Sequence, residues 1–217
     1  MERGAYEFAS GQIIKAAELG NREAKERLEE IKKWNKEGKP STFIDPPSFE
    51  SFPKFVRAQE IIKERSVYNI LDIGCFTGYF IRHMAREGYK CVGTDIQKEL
   101  MNTMNYVCKG NPQFYYMNAE ETKFEEDFDV VCLFDVLEHC LDDKKTIQKA
   151  EKVCDGLMII NLPRNAEYDD DSGEHLRNYT DADIKKLFGN KNNFKVEVLK
   201  DELGRPTSFI TYEVERI

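Results

Sequence analysis

The chain has 217 residues, 41% of them hydrophobic, enough for one domain with a sizeable core and a small appendage. Its net charge of −8 argues against a protein that grips nucleic-acid phosphates non-specifically, and no apolar run nears the ~20 residues of a membrane span. The first residues lack the basic region and apolar core of a signal peptide, and six cysteines occur with no Cys-x-x-Cys pair, which points to a cytoplasmic protein with reduced core thiols.

Residues 5–37 read as two helices. Ile13, Ile14 and Ala17 stripe the first, Gly20-Asn21 breaks it, and Ala24, Leu28, Ile31 and Trp34 stripe the second. This hairpin, over residues 1–38, resembles a single tetratricopeptide-like repeat. One such unit cannot bury its own face, so it must lean on a partner or on the rest of the chain. A Pro/Gly linker runs from Gly38-Lys39-Pro40 to Pro46-Pro47, and a second unit fills residues 48–217. It opens with a helix from Ser48 or Ser51 to about Arg65, with Pro53 in the first turn.

Strands and helices then alternate. Strands are expected over 68–73, 90–95, 113–118, 129–135 and 157–162; helices over 77–87, 97–109 and 143–154. Gly88 and Gly110 stop the first two helices. Such alternation implies parallel strands joined by right-handed crossovers. A polar loop at 164–179 carries Asp169-Asp170-Asp171, a run that reads as a solvated loop. Thr180-Asp181-Ala182-Asp183 opens a last helix. Two closing strands, 194–199 and 207–215, are joined by a short polar turn, so one of them runs antiparallel.

Two stretches carry the chemistry. In Ile70-Leu71-Asp72-Ile73-Gly74-Cys75-Phe76-Thr77-Gly78-Tyr79-Phe80, a β-branched run ends in an acid, and two glycines precede a helix. Glycine lets the backbone approach a ligand closely, the helix start offers unpaired N–H groups, and the end of a first strand is where open α/β sheets bind nucleotides. Many such turns are only turns. Downstream, Cys91-Val92-Gly93-Thr94-Asp95 closes a second strand on a carboxylate that can accept both hydroxyls of a ribose, or can cap the helix that follows.

With these residues the chain resembles the class I S-adenosylmethionine-dependent methyltransferases, over roughly residues 50–217, in the branch of ubiquinone and sugar O-methyltransferases. Asn118-Ala119-Glu120 resembles the family's adenine-contacting segment. Phe128-Asp129-Val130-Val131-Cys132-Leu133-Phe134-Asp135-Val136-Leu137-Glu138-His139 resembles its fourth strand and Leu-Glu-His motif. The resemblance implies a doubly wound α/β fold with a seven-stranded sheet, parallel except for one strand near an edge. It implies S-adenosylmethionine as cofactor, held by Arg57, Asp72, Gly74, Cys75, Phe76, Gly78, Asp95, Ile96, Asn118, Ala119, Glu120 and Asp135. Arg57 would meet the methionine carboxylate, and the N-terminal hairpin would cover the cofactor side of the sheet. Phe76 departs from the pattern, which often has glycine there.

Methyl transfer from a sulfonium asks the protein mainly to position and sometimes deprotonate a nucleophile. His175, in the loop expected to meet substrate, and His139, in Leu-Glu-His, are the candidate catalytic residues. Each has a bland alternative as a loop or helix-start hydrogen-bond partner. Asp135, Glu138, His139 and His175 also have the donor types of a divalent metal site, although no metal is expected. The anticipated substrate is a small polar molecule or glycan methylated on a hydroxyl. Alternatives are an amine or protein side chain, an idle cofactor-binding module that recruits a protein, or a nicotinamide-dependent reductase. The reductase is disfavoured because no third glycine follows Gly78 closely.

Overall fold

A computed structural model describes residues 48–164, 175–201 and 204–214. The hairpin expected over 1–38, the linker after it and the Asp169-Asp170-Asp171 run lie outside the described residues.

The frame is a seven-stranded sheet: β1 (Asn69–Ile73), β2 (Lys90–Asp95), β3 (Gln113–Tyr116), β4 (Phe128–Phe134), β5 (Cys154–Pro163), β6 (Asn192–Lys200) and β7 (Pro206–Glu213). Their order across the sheet is β3-β2-β1-β4-β5-β7-β6. β7 pairs antiparallel with both β5 and β6, while β1 to β5 pair in parallel. The central strands read as unbroken apolar runs because both of their faces are covered. Successive side chains alternate between the two covers. Ile70, Val130, Cys132, Leu157 and Ile159 enter one core, with Ala58, Phe80, Met84 and Met101. Leu71, Ile73, Val131, Leu133, Met158 and Ile160 enter the other, with Ile147, Ala150, Ile184 and Phe188.

The helices divide accordingly. α1 (Pro53–Lys63), α2 (Tyr79–Arg86) and α3 (Lys98–Cys108) lie on the first face; α4 (Asp143–Glu151) and α5 (Asp181–Phe188) lie on the second. α5 begins with the capping box read in the sequence: Thr180 and Asp183 exchange side-chain to backbone hydrogen bonds. An aromatic group seats α1 on the sheet. Phe55 meets Phe134 and Phe80 at centroid distances of 5.1 and 5.4 Å, and His83 stacks on Phe49 at 3.6 Å. That stacking, with a 2.8 Å hydrogen bond to Gln59, makes His83 a packing residue.

Register then fixes one edge. Ile73 pairs with Thr94 on one side and Leu133 on the other, and Leu133 pairs with Ile160. So Gly74, Asp95, Asp135 and Asn161 come to the carboxyl edge together. The chain leaves β1 toward β2 on one side and reaches β4 on the other, and at this edge such a reversal opens a crevice.

A residue missed in the sequence makes the crevice possible. Gly93 sits inside β2, where an added Cβ would lie 2.6 Å from both the Cys75 sulfur and the Ile81 side chain. The glycine turn packs directly on this strand. Gly93→Ala should destabilise the fold by about 1–3 kcal/mol through overpacking, read as a lower urea midpoint with unchanged slope. An unchanged midpoint would show that the turn can shift away at no cost.

Candidate active site

The glycine turn is held from β2. The N–H groups of Gly74 and Cys75 both donate to the Thr94 carbonyl, at 2.7 and 2.9 Å, and Gly78 N–H donates to Cys75 at 2.8 Å. Gly74 and Gly78 take φ of 73° and 65°. A side chain at Gly74 would strike Val136, and one at Gly78 would strike the Phe114 ring. Phe76, where the resemblance favoured glycine, takes φ 50° and so keeps the glycine backbone path at a steric cost of about 1–2 kcal/mol.

Asp95 offsets that cost. One carboxylate oxygen accepts the Phe76 N–H at 2.9 Å, and the other accepts the Gln97 N–H at 3.0 Å. The helix that follows, α3 (Lys98–Cys108), has Gln97 as its N-cap residue and no side-chain cap, so Asp95 does not cap it as the sequence allowed; it closes a local turn onto Gln97 and ties the glycine turn down. Burial pushes its carboxyl above the usual range, and the backbone donors pull it back. Asp72, at 3% exposure, is pushed up further by burial and by the neighbouring charge of Asp95. Ile96 follows Asp95 and stands 64% exposed, an apolar side chain open to solvent beside the turn.

A second group forms after β4. Asp135 takes φ 56°, its N–H donating to the Asn161 carbonyl. Its carboxylate accepts the Asn161 side-chain amide at 2.7 Å and pairs with the Lys54 ammonium from α1. Leu137–His139 then makes one 3-10 turn that buries Glu138 to 1% exposure. Burial, with Asp135 alongside, pushes the Glu138 carboxyl well above its ordinary value.

The returning chain closes over this turn. Leu176 N–H donates to the Glu138 carbonyl at 2.8 Å. The Arg177 guanidinium donates to the carbonyls of Leu137, Cys140 and Leu141, and the Tyr179 hydroxyl to Asp143. These bonds bring His175 beside His139, ring centroids 4.7 Å apart at 67°. The two ends of the 164–179 loop are bridged at Arg164 and Tyr179; residues 165–174 lie outside the described residues.

The remaining residues expected at the cofactor have partners within the protein. Asn118 caps the short turn at Ala119–Glu121 by accepting the Glu120 N–H, and Ala119 packs on the second core. Glu120 turns its carboxylate to the N–H groups of Leu141 and Asp142. Arg57 forms a two-point pair with Glu197 on β6, at 2.8 and 2.9 Å, and reaches Glu60 as well. Lys54, one turn earlier on α1, is the cation at the end of β4. Nothing in the sequence marked Lys54 or Arg177, because their partners lie 81 and about 40 residues away.

Residues 16–199 match the family described as a methyltransferase domain. The chain belongs to this methyltransferase family. It is 32% identical over 89 residues to a ubiquinone biosynthesis O-methyltransferase of Vibrio cholerae, a match that covers 39% of this chain and 36% of that protein's length. Solved methyltransferases share the fold. N-methyltransferase NodS from Bradyrhizobium japonicum, in complex with S-adenosyl-L-homocysteine, superposes with a TM-score of 0.61 at 16% identity, over 79% of this chain and 93% of that one. Magnesium protoporphyrin IX methyltransferase from Synechocystis, with the same product bound, gives 0.59 at 15%, over 75% and 82%. In this methyltransferase no described helix is long and apolar enough to cross a membrane.

Asp95→Ala removes the side-chain acceptors of two backbone N–H groups while relieving a buried carboxyl. The net loss should be about 1–2 kcal/mol, with Asp95→Asn losing less because one oxygen remains. Thermal melting of the two variants checks this; equal midpoints for alanine and asparagine would mean that the turn holds itself.

Proposed function

We propose that this methyltransferase uses S-adenosylmethionine to methylate a hydroxyl of a small polar molecule, a sugar or glycan. The observation that carries the acceptor assignment is the cluster of Glu138, His139 and His175 at the carboxyl edge of β4, next to Asp135. When bound, the cofactor supplies a methyl group on a positively charged sulfur; the S–CH3 bond breaks as the O–CH3 bond forms, and the hydroxyl proton leaves.

The chain's residues fit that cofactor. The crowding at Gly74 and Gly78 keeps the turn's backbone bare, so a nucleoside can lie against it. Each Asp95 oxygen spends one lone pair on backbone and keeps capacity for the ribose hydroxyls. Ile96 offers an apolar surface to the base, with Asn118, Ala119 and Glu120 at the next strand end. Asp72 and Asp135 offer carboxyl oxygens where the methionine ammonium would come. Arg57 would trade Glu197 for the methionine carboxylate, while Lys54 already stands at the edge.

A hydroxyl acceptor needs help with its proton near neutral pH, whereas a free amine needs less. Two imidazoles and a buried carboxyl in one cluster suit the former. The Vibrio relative, named for O-methylation, supports the same reading. None of the six cysteines is in a disulfide, which suits the reducing cytoplasm.

With labelled S-adenosylmethionine, methyl transfer to hydroxyl acceptors such as sugars and phenols is expected to exceed transfer to amines. His175→Ala should lower kcat by about 10²-fold and leave the affinity for S-adenosylhomocysteine nearly unchanged. Methylation confined to amines or protein side chains would overturn the acceptor assignment. Normal turnover by His175→Ala would remove the cluster from the chemistry.

A further inference from the structure

Glu138 presents a problem that the methyl-transfer reading does not solve. Its side chain is 1% exposed, and neither carboxylate oxygen has a hydrogen-bond partner among the described residues. A carboxylate taken out of water without a donor or cation is strongly disfavoured. The group must keep a proton, or something positive must sit against it.

We propose that Glu138, His139 and His175 bind a divalent first-row transition ion. One ligand atom from each of the three lies within 4.8 Å of the others, close enough for small side-chain rotations to bring all three onto one cation. The donor set is one carboxylate and two imidazoles. Such a set favours Mn2+, Fe2+ or Zn2+ over Mg2+ and Ca2+, which prefer all-oxygen shells. Three protein ligands leave coordination positions open for oxygen atoms of a ligand.

Hydrogen bonds to backbone carbonyls hold the segments that carry the cluster against each other. Arg177 clamps the carbonyls of Leu137, Cys140 and Leu141, and Leu176 N–H fixes the Glu138 carbonyl. Both sets of bonds act on the two backbone segments that carry the three ligands. Asp135, although close, is committed to Lys54 and Asn161 and is left out of the set. The sequence contained all the donors. What it lacked was the burial of Glu138 and the return of residue 175 onto the turn, and so no metal was expected from it.

The binding claim stands on geometry alone. Its catalytic consequence rests on the function proposed above. A hydroxyl bound to the ion gives up its proton to water at lower pH, so the imidazoles serve as ligands and the ion does the work assigned to the cluster.

The test uses full-length protein, stripped with chelator and titrated with Mn2+, the free ion being followed by electron paramagnetic resonance. Mn2+ avoids confusion with the six thiols, which favour softer metals. One saturable ion per chain is expected. Glu138→Gln, which keeps the volume, and His175→Ala should each weaken binding at least tenfold, with far-UV circular dichroism confirming that both fold. No saturable Mn2+ binding overturns the proposal: the Glu138 carboxyl then simply keeps its proton. Binding undiminished in both variants overturns it too. If Mn2+ binds as expected while no hydroxyl acceptor is methylated, the metal site stands and the acceptor assignment fails. If O-methylation is insensitive to chelator and Mn2+ does not bind, the metal site fails and the acceptor assignment stands.

Discussion

The Asp95 carboxylate holds the functional edge together. By accepting from Phe76 on one side and Gln97 on the other, it joins the turn after β1 to the end of β2. The rest follows from that tie. The Thr94 carbonyl takes two more N–H groups of the turn, Gly93 leaves room for Cys75 and Ile81, and α2 starts where the turn ends. The bond to its N–H helps hold Phe76 in a left-handed conformation. Of the two roles its sequence position suggested, the helix cap is not the one it takes, since Gln97 is the N-cap residue and carries no side-chain cap.

The same edge concentrates costly features. Phe76 and Asp135 both have positive φ without being glycine, and Asp72, Asp95 and Glu138 are all buried acids pushed upward in pKa. Strain and buried charge gather where a fold needs geometry more than stability. Folding this edge costs free energy that the two apolar cores must offset. Its electrostatic character is acidic, relieved in part by Lys54 at Asp135. That field favours a positively charged ligand, as a sulfonium or a divalent ion is.

Much of the frame was legible in the sequence because its signals were local. β1 and β4 are apolar along most of their length, as strands buried on both faces must be, and the Thr180–Asp183 capping box is complete within four residues. That one of the last two strands runs antiparallel was anticipated from the short turn between them, but not that it is β7. What stayed illegible depends on distance along the chain. Lys54 meets Asp135 across 81 residues, and Arg57 meets Glu197 across 140; no periodicity encodes either pair. Arg57 and Lys54 are three residues apart on one helix, and only the packing of Phe55 on Phe80 and Phe134 decides which of them faces the crevice. The sequence grouped His139 and His175 by donor type alone, and the Arg177 clamp and the Leu176 bond show how the fold brings them together.

The central claim is that this edge binds the adenosine of a methyl donor and not that of a nicotinamide. Calorimetric titration of the intact protein with S-adenosylhomocysteine and, separately, with NADH tests it most directly. Saturable one-to-one binding of S-adenosylhomocysteine is predicted, with no measurable heat of binding for NADH. Tighter binding of NADH than of S-adenosylhomocysteine would contradict it.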